Sequence, residues 1–190
     1  MLAITNCADA MMWSGAYLLL NILYTFVLKK YSIIDAVAIA CGFVIRIYMG
    51  ASVGELTTSG WIVVLVFIMA LLLAFGKRRD DLNNFEKTTA VSRTNVFAYS
   101  VEFLNVILSV LSAVIAVTYI QYTLSPEVIE RVGKNLFVTV PLVVMGLLRY
   151  LQIVLVEKKE FNPTDILWKD AFLQLTIAAW ILMFLFFIYF

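Results

Sequence analysis

The residues best able to do chemistry lie together in Gly76-Lys77-Arg78-Arg79-Asp80-Asp81-Leu82-Asn83-Asn84-Phe85-Glu86-Lys87. Three cations precede two carboxylates. On a helix, Lys77 sits one turn before Asp80 and Asp81, while Asp80, Asn83, Asn84 and Lys87 fall on one side. Such a cluster suits a magnesium–pyrophosphate group. Mg²⁺ takes one or two carboxylates and completes its shell with phosphate oxygens and water. Lysine and arginine neutralise the remaining phosphate charge, arginine as a two-pronged donor. The same residue types also suit a helix end anchored by basic residues at a membrane surface, with the aspartates for solubility. Residue types alone leave these two readings level.

Other polar residues interrupt apolar runs. Asp35 and Arg46 are eleven positions apart, which on a helix places them on one face and about 16 Å apart along the axis. They cannot pair directly, but both can point into one interior. Glu102 with Asn105, Arg149 with Gln152, and Asn21 with Tyr24 each stand one turn apart. Taken singly, such residues suit interhelical hydrogen bonds; as a set gathered at one depth, they predict a hydrophilic pocket open to one side of a membrane. Histidine is absent, which removes the commonest general base at neutral pH. Catalysis must come from carboxylates, Lys, Arg, Tyr and bound metal. Cys7 and Cys41 are too few and too far apart for a disulfide framework or a thiolate metal site. No nucleic-acid partner is expected.

The elements that must position these groups are membrane helices. Of the 190 residues, 63% are hydrophobic and 14% charged, too few polar residues to cover a soluble domain. Six apolar runs stand out, Ala10–Leu28, Ile33–Val53, Trp61–Gly76, Val96–Tyr119, Leu136–Val156 and Ala171–Phe190. Each is near the ~20 residues that a spanning helix needs. The third is short. An open sheet would strand backbone groups in lipid, and the runs lack the alternation of barrel strands. The first run has neither the basic flank nor the cleavage site of a signal peptide. The expected fold class is therefore all-α, a single polytopic transmembrane domain over residues 1–190. Gly50-Ala-Ser-Val-Gly54 predicts close packing of two helices.

Loop charge orients the bundle. Lys29, Lys30, Lys77, Arg78, Arg79, Lys87, Arg93, Lys158, Lys159 and Lys169 lie in alternate segments, against Arg131 and Lys134 in the others. With Arg46 and Arg149 inside runs, these account for all 14 cations. The positive-inside rule puts the larger set in the cytoplasm and both chain termini outward.

These motifs together resemble the UbiA superfamily of intramembrane prenyltransferases, and most closely its decaprenyl-phosphate phosphoribosyltransferase branch. The resemblance rests on Tyr31-Ser-Ile-Ile-Asp35, Gly42-Phe-Val-Ile-Arg46 with Gly50, Ala74-Phe-Gly-Lys-Arg-Arg-Asp80, Leu148-Arg-Tyr150 with Gln152, Lys169-Asp170, Leu173-Gln174-Leu175 and Trp180. Their order and spacing run over nearly the whole chain. The resemblance implies a helix bundle around a cavity that opens to the cytoplasm and sideways to lipid, in a bacterial inner membrane. It also implies two acidic motifs that hold Mg²⁺ and pyrophosphate at the cavity mouth. Lys77–Asp81 matches the second motif in part: Asn84 and Phe85 stand where Asp-x-x-x-Asp would place its second carboxylate. The branch that uses phosphoribosyl pyrophosphate departs from the pattern similarly. The first motif, Asn-Asp-x-x-Asp-x-x-x-Asp, has no match. The six runs then correspond to family helices four to nine, and the chain is expected to lack the three helices before them.

The implied activity is transfer of phosphoribosyl from phosphoribosyl pyrophosphate to a polyprenyl phosphate, with release of pyrophosphate. Asp80 and Asp81 would serve Mg²⁺, Lys77, Arg78 and Arg79 the phosphates, and Arg46 and Arg149 the donor or the lipid phosphate. No catalytic residue is singled out. Two rivals remain: prenyl transfer to an aromatic or other small acceptor, and an inactive or non-enzymatic membrane protein.

Overall fold

In lipid, a backbone with no water to bond must satisfy its own N–H and C=O groups, and long apolar runs do so as helices. The computed structural model describes residues 2–54, 56–88, 99–157, 166 and 168–189, with side chains for 9–54, 56–83, 99–157, 166 and 168–189. The side chains of Asn84, Glu86 and Lys87, and the whole of Arg93, Lys158 and Lys159, lie outside the described residues. Among the described residues the helices are α1 (Leu2–Phe26), α2 (Ser32–Gly54), α3 (Gly60–Thr88), α4 (Val101–Leu124), α5 (Pro126–Val132), α6 (Val140–Gln152) and α7 (Ala171–Tyr189). A 3₁₀ helix, Lys134–Thr139, leads into α6, and a π-helical turn, Ile153–Glu157, follows it.

Among the described residues, five segments are long and apolar enough to cross a membrane: Ser32–Gly54, Gly60–Asn83, Val101–Leu124, Lys134–Glu157 and Ala171–Tyr189. The chain is thus an all-α, multi-pass membrane bundle. Six such runs were expected. The first, α1, has the length, at 25 residues, but is not among the five. Asp9, Ser14, Asn21 and Thr25 dilute its apolar character.

Two other boundaries differ from expectation. The third apolar run ends at Gly76, yet α3 continues to Thr88, so the cation–carboxylate cluster rides on a helix rather than in a loop. The fourth helix begins at Val101 rather than Val96. Ser100 is its N-cap, and the Ser100 hydroxyl accepts the Phe103 N–H at 3.1 Å.

Successive helices pack side by side: α1 on α2, α2 on α3, α3 on α4, α4 on α6, and α6 on α7. The α3–α4 seam has helical spacing, with Ile68, Leu72 and Phe75 in the same buried cluster as Leu104, Leu108 and Ile115. A second apolar cluster joins Tyr119, Tyr122, Val128 and Leu136. There the Trp180 indole N–H donates to the Tyr119 hydroxyl at 2.8 Å, and that hydroxyl bonds the buried Thr139 hydroxyl at 2.7 Å. These bonds join α7 and α4 to the start of the Lys134–Glu157 span.

Among the described residues, no helix makes the close contact expected at Gly50 and Gly54. A Cβ at Gly50 would meet nothing within 4 Å, and one at Gly54 would meet only Leu56. Both glycines are exposed.

Candidate functional site

The polar site forms at one end of the bundle, where α2, α4 and α7 begin and where α3 and the Lys134–Glu157 span end. This is the basic end, with Lys29 and Lys30 in the turn between α1 and α2 and Lys77 on the last turns of α3. Helical rotation divides the cluster on α3, because consecutive side chains point about 100° apart. Lys77 is exposed, Arg78 and Arg79 are buried, and Asp80 and Asp81 are half-buried.

Arg78 turns toward α2. Its Nε donates to Asp35 Oδ2 at 2.9 Å and its terminal nitrogen to the same oxygen at 2.5 Å. Both side chains are sealed off, at 1% and 0% exposure. A guanidinium so enclosed has its charge matched inside the protein. Tyr99, just before α4, lies beside this pair, and burial pushes its phenol above the ordinary tyrosine range.

Arg79 turns toward α4, where its Nε donates to Asn105 Oδ1 at 2.6 Å. Asp80 and the buried Tyr150 of α6 are its electrostatic neighbours. Among the described residues the Tyr150 hydroxyl has no hydrogen-bond partner, and a buried polar group left in that state calls for a ligand or water. Sequence reasoning took Tyr150 only as a family marker. A tyrosine in an apolar run carries no sign of which neighbour it will meet.

Arg149 forms a separate cluster. It grips Asp170 with two nitrogens, Nε to Oδ1 at 3.3 Å and a terminal nitrogen to Oδ2 at 2.5 Å. It also donates to Glu157 at 2.8 Å and to Gln152 at 2.9 Å. The π-helical turn carries Glu157 into this cluster, and Asp170 accepts the Leu173 N–H at 2.8 Å as the cap of α7. Arg149 and Gln152 border an open groove of about 570 Å³ with Met145, Leu148 and Phe172.

The structure does not bring Arg46 to the α3 cluster. Arg46 stands eleven residues along α2 from Asp35, about 16 Å on the helix, and donates to the Tyr17 hydroxyl of α1. Asp35 and Arg46 therefore serve different neighbours. Glu102 is exposed, while Asn105, one turn on, faces Arg79.

Among the described residues, no three acidic, cysteine or histidine side chains gather as a metal cage. Asp80 and Asp81 diverge on their helix and do not form one either. They fit the way Mg²⁺ is held beside phosphates, by one or two carboxylates with the other positions left to phosphate oxygens and water.

No family model matches the sequence. Individual relatives do. The chain is similar to decaprenyl-phosphate phosphoribosyltransferases. That of Mycolicibacterium smegmatis is 25% identical over 174 residues, covering 88% of this chain and 54% of the relative. That of Mycobacterium tuberculosis is 23% identical over 187 residues, covering 95% of this chain and 61% of the relative. A third, from Corynebacterium glutamicum, is 25% identical over 105 residues, 55% of this chain and 32% of the relative. The chain thus spans little more than half the length of the first two curated relatives. The likeness supports a UbiA-type membrane transferase, the superfamily that the motifs resemble.

Proposed function

We propose that this chain acts in the transfer of phosphoribosyl from phosphoribosyl pyrophosphate to a polyprenyl phosphate, with release of pyrophosphate. The observation that carries the reading is the similarity along 88–95% of the chain to proteins named decaprenyl-phosphate phosphoribosyltransferase. The basic-end cluster has chemistry that suits it. In the reaction, an oxygen of the polyprenyl phosphate bonds to ribose C1 as the bond from C1 to pyrophosphate breaks. The electron pair leaves with pyrophosphate. The attacking oxygen is already anionic, so no histidine or other strong base is required.

Charge on the leaving group is the main barrier that a protein can lower. Exposed Lys77 and the Arg79 guanidinium are the cations we assign to pyrophosphate. The Tyr150 hydroxyl is a further donor beside Arg79. Asp80 or Asp81 would hold Mg²⁺, which when bound offsets further phosphate charge. Arg78 is assigned a holding role, locking α2 to α3 through Asp35 so that Arg79 and Asp80 keep their direction. Arg149, engaged by Asp170 and Glu157, is likewise assigned to the frame. The lipid chain would lie against the exposed apolar helix faces. By the loop charges, the basic end faces the cytoplasm, where a soluble pyrophosphate donor is found.

The test uses membranes containing the chain, a polyprenyl phosphate and phosphoribosyl pyrophosphate labelled in the ribose. Label is expected to move into the lipid fraction, and Arg79→Gln should lower the rate roughly a hundredfold. Absence of transfer, or equal rates for Arg79→Gln and the unchanged chain, overturns the reading.

A further inference from the structure

A second polar feature lies away from the basic end, in the groove between α1 and α2. The groove holds about 160 Å³ and is bordered by Tyr17, Leu20, Asn21, Tyr24, Phe43 and Arg46. Arg46 is exposed there, and among the described residues no carboxylate pairs with it. Its guanidinium carbon sits 5.0 Å from the centre of the Tyr17 ring and 5.2 Å from that of Phe43. Two rings thus hold the cation in one place by its attraction to their faces.

An arginine well inside a spanning helix is costly unless water or an anion joins it, and such residues are usually functional. One terminal nitrogen donates to the Tyr17 hydroxyl. That hydroxyl accepts the bond and keeps its own proton to give. The rest of the guanidinium and the phenol proton are therefore available to one ligand. A planar fork of N–H donors beside an O–H donor matches phosphate oxygens. On the other wall, Leu20 and Phe43 present apolar surface of the kind that an attached chain would cover.

We propose that the α1–α2 groove is a phosphate site separate from the basic-end cluster, with Arg46 and the Tyr17 hydroxyl as its donors. Its ligand is a phosphate group, carried by a lipid or by a soluble compound. Arg46 stands about 16 Å from Asp35 along α2, apart from the basic-end cluster. The site does not depend on the transfer reading, since occupancy is measured without turnover.

The experiment is native mass spectrometry of the full chain in detergent with dioctanoyl phosphatidic acid, dioctanoylglycerol and inorganic pyrophosphate. One phosphatidic acid is expected per chain, and dioctanoylglycerol should not bind. Arg46→Gln should weaken retention roughly tenfold or more, and Arg46→Lys less. Tyr17→Phe keeps the ring and removes the hydroxyl; it should weaken binding several-fold, which covers the case where Arg46→Gln fails to fold. Displacement of the lipid by pyrophosphate supports a soluble source, and no displacement a lipid source. The proposal is overturned if Arg46→Gln and Tyr17→Phe both bind like the unchanged chain, or if dioctanoylglycerol binds as tightly as phosphatidic acid.

Discussion

Arg78 has its charge matched by a buried carboxylate on the neighbouring helix. Its partner Asp35 is fully enclosed, so neither charge has water to fall back on. Removing one partner of such a pair leaves the other bare, at a cost of about 3–5 kcal/mol, whereas replacing both with apolar residues is often nearly neutral. Asp35→Asn and Arg78→Met are each expected to destabilise by that amount, and Asp35→Leu with Arg78→Met by much less. Equilibrium unfolding in mixed micelles measures this; a double variant as weak as either single one would remove the pair from its assigned role. The sequence shows the cation–carboxylate cluster and the cost of Asp35 inside a span, but not their match. Helical periodicity puts Asp35 and Arg46 on one face without saying which helix each end of that face meets. The answer depends on α2 lying between α1 and α3. For the same reason, the sequence offers Arg79 as a phosphate ligand without showing that Tyr150 is its neighbour.

At the scale of elements, Asp170 has two tasks. It caps α7 through the Leu173 N–H and holds Arg149 of α6 by a charged pair. The two can be separated by substitution. Asp170→Asn keeps an acceptor for the cap and loses the charge. Asp170→Ala loses both. Amide exchange at Leu173 should therefore quicken more in Asp170→Ala than in Asp170→Asn, while both loosen the junction of α6 and α7. Equal exchange in the two variants would mean that the cap contributes nothing. Five of the six expected helices are legible as spans because length and apolar content suffice to detect them. The limits are not. Val96–Tyr99 is as apolar as the helix that follows, so only the Ser100 cap marks where α4 starts. The charges after Gly76 look like a loop to a hydropathy reading, yet α3 runs through them because Arg78 and Arg79 find partners on α2 and α4. Gly50 and Gly54 have the spacing of a packing motif without a helix against them, since a pattern of small residues permits close approach but does not supply the neighbour.

For the whole molecule, the distribution of cations makes a directional prediction. Single cysteines placed at Lys30 and at Lys134 should label from opposite sides of an intact membrane, with position 30 reached from the cytoplasm. Labelling of both from one side would reverse the orientation and take the basic-end cluster away from soluble donors. The order of packing has a consequence of its own. Each long helix rests on the one translated just before it, apart from the short α5 that intervenes between α4 and the Lys134–Glu157 span. Contacts between neighbours in sequence form with little loss of chain entropy. Emerging from the ribosome, a new helix would find its seat already in place, and the bundle could grow in the order of its message. Asp35 is the residue for which that order matters. It enters before α3 has been made and must wait 43 residues for its counter-ion; a pause in translation within that interval would hold the nascent chain at its least settled point.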